Sequence, residues 1–202
     1  MDEHYYTAHP TSEIKEREYT QTINSVSLRF KTVSGVFSFG DKVDKASELL
    51  IKQFNPNAEG NLSVLDLGCG YGAVGLFLKA MHPQLNLTLI DINDRAIEYA
   101  KENARINKIE IEALQSDLYS SLDKRTFDFI VTNPPIAAGK KLNTMLIEQA
   151  VIHLNPGGSL WLVAFHNKGG STLKNIMKDS FGNAEDMEKS GGIRVYRAIK
   201  QR

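Results

Sequence analysis

From residue 62 onward, apolar and polar positions alternate between two patterns in a regular order. LSVLDLG (62–68) is an almost continuous apolar run, as expected of a parallel strand buried on both faces. GAVGLFLKAMH (72–82) then has helical spacing until Pro83 bars its continuation. NLTLIDIN (86–93) predicts a second strand and DRAIEYAKENARIN (94–107) a second helix, with Asn93 or Asp94 as its cap. IEIEALQSD (109–117) and FDFIVTN (127–133) predict two further strands, with one helical turn expected at LYSSL (118–122). KLNTMLIEQAVIHL (141–154) predicts a helix, NPGG (155–158) a turn, and SLWLVAF (159–165) a fifth strand. A helix near 171–181 precedes NAEDMEK and GIRVYRAIK, two strands joined tightly across Ser190-Gly191-Gly192 and therefore antiparallel.

Upstream, YTQTINSVSLRFKTVSGVFSFG (19–40) is rich in Thr, Val and Phe and predicts two or three short strands. VDKASELLIKQF (43–54) places Val43, Ala46, Leu49, Leu50 and Phe54 on one helical face, and NPNAEGN (55–61) closes it as a loop. Alternating strands and helices imply right-handed crossovers and an α/β fold: a Rossmann-like, doubly wound sheet of seven strands, mostly parallel, ending in an antiparallel hairpin. The expected division is a small N-terminal β extension over 1–42, packed on one globular unit over 43–202.

With 202 residues, 42% hydrophobic and 24% charged, the chain has enough material for a single sizeable core. No apolar run reaches the roughly 20 residues of a bilayer span, and no basic-then-apolar leader opens the sequence, so a cytoplasmic protein with no membrane partner is expected. Cys69 is the one cysteine, and with five scattered histidines it offers no metal-ligand spacing; no metal is expected. Lys plus Arg (24) equals Asp plus Glu (24), so total charge carries no nucleic-acid footprint and by itself counts against an RNA partner.

VLDLGCGYGAVG (64–75) sets Gly68, Gly70, Gly72 and Gly75 where a strand turns into a helix, and the string from Gly68 to Ala73 satisfies the dinucleotide pattern GxGxxA. Glycines let backbone approach a ligand closely, and a helix N-terminus offers free amides. Asp91 ends the next strand about 20 residues on, where a carboxylate can accept the hydroxyls of an adenosine ribose. A plain tight turn with a capping aspartate is the competing account. Asp66 lies inside an otherwise apolar strand, where a carboxylate is costly without donors or a cation. A pyrophosphate would be repelled by it, whereas the ammonium of a bound amino acid would not. S-adenosylmethionine carries an ammonium, a ribose and an adenine, matching Asp66, Asp91 and Asp117; the competing account of Asp117 is a turn residue.

FIVTNPPIAAGK (129–140) ends a buried strand by setting Asn133 against two prolines. Asn133 is confined to extended geometry, the next two φ angles are fixed, and neither Pro134 nor Pro135 supplies an N–H. What remains is a stiff wall of acceptors: the Asn133 side-chain oxygen and the carbonyls of Asn133 and Pro134. Such a wall suits a planar –NH₂ group that brings two donors. Simple termination of the strand is the alternative.

These stretches, with DIN (91–93), SDLY (116–119) and SGVFSFGDKVD (34–44), resemble the small-domain methyltransferases related to bacterial small-subunit ribosomal RNA guanine-N2 methyltransferases. The likeness is strongest to single-domain archaeal and Gram-positive members and runs from HYY (4–6) to the last strand. It implies a class I fold using S-adenosylmethionine. Asp66, Gly68 and Gly70 would hold the methionine part, with Cys69 filling the turn beside Gly72. Asp91 with Ile92 would hold the ribose, Asp117 with Leu118 the adenine, and Phe37 and Ser38 would border the cofactor. Asn133 with Pro134 would hold the target amine, Pro135 and Ile136 would complete the catalytic set, and Asn133 would also border the cofactor. Ile136 stands where relatives acting on adenine carry a stacking Tyr or Phe. After Asp44, Lys45-Ala46-Ser47 departs from the glycine and small hydroxyl residue usual there.

The implied substrate is a guanine exocyclic amine in structured rRNA or tRNA, with Lys140 and Lys141 near the loop as phosphate contacts. Guanine N7, protein glutamine side chains, and a module that binds the cofactor without catalysis stay open as alternatives. Specificity from a protein partner, and either a monomer or a homodimer, also stay open.

Overall fold

A computed structural model of the protein describes residues 7–56 and 60–201. The HYY segment, part of the 1–42 extension and the middle of the 55–61 loop lie outside the described residues. The first two strands, β1 (Glu16–Ile23) and β2 (Val26–Val33), form an antiparallel hairpin across Asn24 and Ser25. Both loop residues have positive φ, +46° and +68°, the geometry of a turn whose twist matches that of the flanking strands.

The main sheet has seven strands in the order β5-β4-β3-β6-β7-β9-β8. Its members are β3 (Leu62–Leu67), β4 (Leu85–Asp91), β5 (Glu112–Gln115), β6 (Phe127–Thr132), β7 (Leu154–Phe165), β8 (Glu185–Ser190) and β9 (Ile193–Ile199). The first five run parallel; β9 is antiparallel to both β7 and β8. Helices are α1 (Lys45–Gln53), α2 (Ala73–Met81), α3 (Asp94–Asn107), α4 (Lys140–His153) and α5 (Gly170–Phe181).

Strand alternation sorts the core into two layers. Along β7, Trp161 and Val163 join an apolar cluster with Leu50 of α1, Phe77 of α2 and Ala100 of α3, while Leu160 and Leu162 join one with Ile147 of α4 and Met177 of α5. The hairpin packs on the first layer, its Phe30 ring 5.6 Å from that of Phe77. Asn103, fully buried on α3, exchanges hydrogen bonds with Lys31 of β2 and donates to the carbonyl of Tyr71 at 2.9 Å. That one amide ties the hairpin to the glycine turn.

Three local expectations are corrected. NPGG (155–158) belongs to β7: the carbonyl of Lys200 accepts from Gly157, and a side chain at Gly158 would meet the Asp128 carbonyl at 2.8 Å. The ladder with β6 slips at this point, so the glycines absorb a bulge rather than reverse the chain. The third parallel strand is shorter than its apolar pattern suggests, and LYSSL forms consecutive turns rather than a helical turn. Of the two caps the sequence offered for α3, Asn93 serves, accepting from the Ala96 amide at 3.2 Å.

β4 and β5 lie to one side of β3 and β6 to the other, so connections diverge at the carboxyl ends of β3 and β6. A crevice opens where strand order reverses in this way. Among the described residues no helix is long and apolar enough to cross a membrane.

Candidate active site

Between the ends of β3, β4 and β6 lies a cavity of about 240 Å³. Eight residues singled out in the sequence line it: Phe37, Gly68, Asp91, Ile92, Asp117, Leu118, Asn133 and Pro135. Val36, Leu67, Ile90, Ser116, Leu142 and Leu146 complete most of the wall; their apolar character is ordinary core composition and gave no separate signal in the sequence. Ser38, Asp66, Cys69, Gly70, Gly72, Pro134 and Ile136 stand behind or beside this surface, and Lys140 and Lys141 are exposed beyond it.

The glycine turn is bent as its composition demands. Gly68, Gly70 and Gly72 have φ of +72°, +56° and +90°, a region that side chains disfavour. The amides of Gly68 and Cys69 both donate to the Ile90 carbonyl, and that of Gly70 to an Asp91 carboxylate oxygen at 2.8 Å. The other Asp91 oxygen accepts from the Asn93 amide at 2.9 Å. Burial pushes the Asp91 carboxyl up, and these amides pull it back. Each carboxylate oxygen keeps a lone pair, so Asp91 can brace the turn and still accept from a ligand hydroxyl. Burial likewise pushes up the Cys69 thiol, which points at the Gly70 carbonyl and fills space inside the turn.

Asp66 is 2% exposed and accepts from the Gly75 amide at 2.8 Å. Burial raises its pKa to about 7, against the opposing pull of that amide. Such a carboxyl has no countercharge paired to it among the described residues, and an ammonium in the crevice would supply one. A methyl group at Gly75 would lie 3.1 Å from the Asp66 oxygen and 2.5 Å from Leu89, so only glycine lets α2 come this close.

At the far wall, Ser116 Oγ donates to the Leu118 carbonyl and accepts from the Ser121 amide, holding Leu118 at φ +49° against the cavity. The exposed Asp117 carboxylate sits at this rim. Apolar Ile90, Ile92 and Leu118, flanked by acceptors at Asp91 and Asp117, fit an adenosine in both shape and polarity.

Asn133 is oriented by partners that the sequence did not disclose. Its side-chain nitrogen donates to Ser47 Oγ at 3.1 Å and to Asp44 Oδ1 at 3.3 Å. Asp44 also caps α1, accepting from the amides of Ala46 and Ser47. A carboxylate only accepts, so the Asn133 amide must turn its –NH₂ toward α1, which leaves its oxygen for the cavity. Ser47 thus supplies a hydroxyl near the position where Lys45-Ala46-Ser47 departed from the usual pattern. Pro134 shares its carbonyl with the Ile136 amide at 2.9 Å and retains one lone pair.

The order of strands, the crevice at the switch point and these acidic residues define a class I S-adenosylmethionine-dependent methyltransferase. Comparisons agree: residues 27–197 match the model of the methyltransferase small domain, and the chain belongs to that family. It is 36% identical over 203 residues to the uncharacterized protein YbxB of Bacillus subtilis, covering 99% of this chain and 100% of that protein. It is 37% identical to ribosomal RNA small subunit methyltransferase C of Erwinia tasmaniensis, over 87% of this chain and 50% of that protein. Among solved structures, the T. thermophilus 16S rRNA N2 G1207 methyltransferase RsmC, in complex with AdoMet and guanosine, superposes with a TM-score of 0.81 at 27% identity. That match covers 95% of this chain and 52% of RsmC, so the chain spans about half the length of these methyltransferases.

Proposed function

We propose that the protein methylates the exocyclic amine of guanine in structured RNA, rRNA or tRNA. The orientation of Asn133 carries this reading: Asp44 and Ser47 take its donors, which leaves its oxygen as an acceptor on the cavity wall, one residue before the Pro134 carbonyl. The activity for which RsmC is named, at N2 of G1207 in 16S rRNA, is one that acceptors at this place suit.

S-adenosylmethionine supplies the electrophile, a methyl group on a sulfonium. When it is bound, Asp91 would accept from the ribose, Asp117 from the adenine amine, and Asp66 would balance the ammonium near Gly68 and Gly70. Phe37, which lines the cavity, and Ser38 next to it would border the cofactor. Asn133 Oδ1 and the Pro134 carbonyl take the two hydrogens of the target amine and aim its lone pair across the cavity. As that nitrogen gains positive charge, both acceptors stabilise it. No strong base is required, because the methylated nitrogen is acidic and releases its extra proton to water. Ring N7 of guanine has no hydrogen to offer, and two acceptors would repel it.

The test is incubation with methyl-labelled S-adenosylmethionine and, separately, small-subunit rRNA, tRNA and ribosomal protein, followed by mass spectrometry of nucleosides and amino acids. Label in N2-methylguanosine supports the reading; label in 7-methylguanosine or methylglutamine overturns it. Asn133→Ala is expected to bind cofactor normally while turnover drops by a factor on the order of 100, typical for one transition-state hydrogen-bonding group.

A further inference from the structure

Asn143 stands in the first turn of α4, 2% exposed. Its side-chain nitrogen donates to the Gly139 carbonyl at 2.9 Å and the Pro135 carbonyl at 3.2 Å, the two ends of the short turn over Ile136–Ala138. Carbonyls only accept, so the amide has a single orientation here, and its oxygen is left buried with no hydrogen-bond partner among the described residues. An orphaned buried acceptor is unfavourable, and a leucine of similar shape would remove it. Stability of the core therefore does not account for an asparagine at this place.

The backbone it grips does. Pro135 sits at φ −74° and ψ 80°, the centre of an inverse γ-turn closed by the Ile136 amide on the Pro134 carbonyl at 2.9 Å. Both prolines fix their own φ, so the first soft torsion after the Pro134 carbonyl and the Pro135 ring is ψ of Pro135. Rotation about it swings the Pro135 carbonyl, which Asn143 and the Ala138 amide hold from two sides.

We propose that Asn143 is a positioning residue for methyl transfer: it locks Pro135 and, through the rigid proline pair, sets the Asn133 and Pro134 acceptors at a fixed distance from the reacting atoms. This rests on the reading of those two groups as acceptors for the target amine. Asn143 itself does not line the cavity.

The experiment compares wild type with Asn143→Leu and Asn143→Asp in three measurements. Hydrogen exchange reads the amides of Ala138 and Gly139, which should exchange faster in Asn143→Leu by on the order of 10-fold while the amides of α3 keep wild-type rates. Turnover should fall 10- to 100-fold, roughly the penalty for displacing a reacting group by about 1 Å, with the cofactor KM within about twofold. Asn143→Asp adds a signature no packing defect gives. Protonated, the acid keeps one donor for the loop; ionised, it sets acceptor against acceptor, so turnover at saturating cofactor should decline as pH rises while that of wild type stays level. Should Asn143→Leu fail to fold, the pH profile and exchange of Asn143→Asp decide alone. Unchanged exchange at Ala138 and Gly139 overturns the clamp, and fast exchange with wild-type turnover overturns its role in positioning. A wild-type enzyme inactive on RNA refutes the substrate reading instead, and exchange still decides the clamp.

Discussion

The Asn133 amide nitrogen donates to the Ser47 hydroxyl across 86 residues of chain, joining the end of β6 to the first turn of α1. Asp44 accepts from the same nitrogen at 3.3 Å while capping that helix. Ser47→Ala leaves Asn133 with the longer bond alone, so its amide can rotate. Turnover is expected to drop about 10-fold from misorientation, with cofactor affinity unchanged. Asp44→Ala removes both the orienting bond and the cap, and adds about 1 kcal/mol of destabilisation. Steady-state kinetics with thermal melts separate the two effects. A Ser47→Ala enzyme with wild-type turnover would show that Asn133 needs no orienting partner.

Asp66 makes cofactor binding depend on pH. Burial raises its folded pKa to about 7 from an unfolded value of 3.8, so the folded protein holds a proton that the unfolded chain has lost. Stability from this group is complete below pH 4 and is lost as pH rises toward 7. A bound ammonium favours the carboxylate, so below pH 7 binding must release a proton. Titration calorimetry at pH 6 in buffers of different ionisation enthalpy should detect that release, and at pH 8 it should vanish. Asp66→Asn keeps an acceptor for the Gly75 amide without the charge. It should melt higher than wild type at pH 8 yet bind cofactor at least about tenfold more weakly, the equivalent of 1.4 kcal/mol. A variant that binds as tightly as wild type would remove Asp66 from the ammonium site.

Local signals carried most of the fold and half of the site. Apolar runs, helical spacing and glycines are properties of neighbouring residues, so β3, the glycine turn, Asp91 and the strand into Asn133 were legible from the sequence. Ser47 and Asn143 were not, because each meets the Asn133–Gly139 loop through folding: one from a helix 86 residues away, the other through an amide whose oxygen finds no partner among the described residues. Periodicity marks both merely as helical positions. NPGG misled for a related reason. Glycine signals that backbone approaches closely or turns, and only the Asp128 carbonyl beside Gly158 decides which.

Arg95 is expected to control the loop that carries Phe37. Its guanidinium donates to the carbonyls of Pro10, Ser12 and Ser34 and to Ser12 Oγ, at 2.9 to 3.2 Å. Asn93 adds a bond to the Gly35 carbonyl at 2.8 Å. Arg95→Ala should therefore cost about 2 kcal/mol, since hydrogen bonds from a charged donor to part-buried carbonyls are worth more than neutral ones. Limited proteolysis should cut between residues 8 and 15, and cofactor affinity should fall. Nearby His9 contacts Asp94 at 2.6 Å, but the two side chains are 75% and 45% exposed. His9→Ala should shift stability by under about 0.5 kcal/mol, as for other surface pairs. Equal effects from both substitutions would contradict this ranking.

Lys140 and Lys141 begin α4 immediately beyond the Asn133–Gly139 loop, and neither makes an ion pair among the described residues. The chain is neutral overall, so RNA attraction must come from local charge of this kind. Each lysine that contacts a phosphate releases a counterion, so Lys140→Gln and Lys141→Gln should each flatten the plot of log affinity against log salt by about 0.7 to 0.9. Binding should weaken alike for matched and mismatched RNA sequences, since phosphates carry no base identity. Turnover at saturating RNA should stay at the wild-type level, the opposite of Asn133→Ala. Lys101→Gln, on the exposed face of α3, should leave the salt slope unaltered. If Lys101→Gln flattened it as much as Lys140→Gln, RNA would be held by diffuse charge rather than at the edge that carries Asn133.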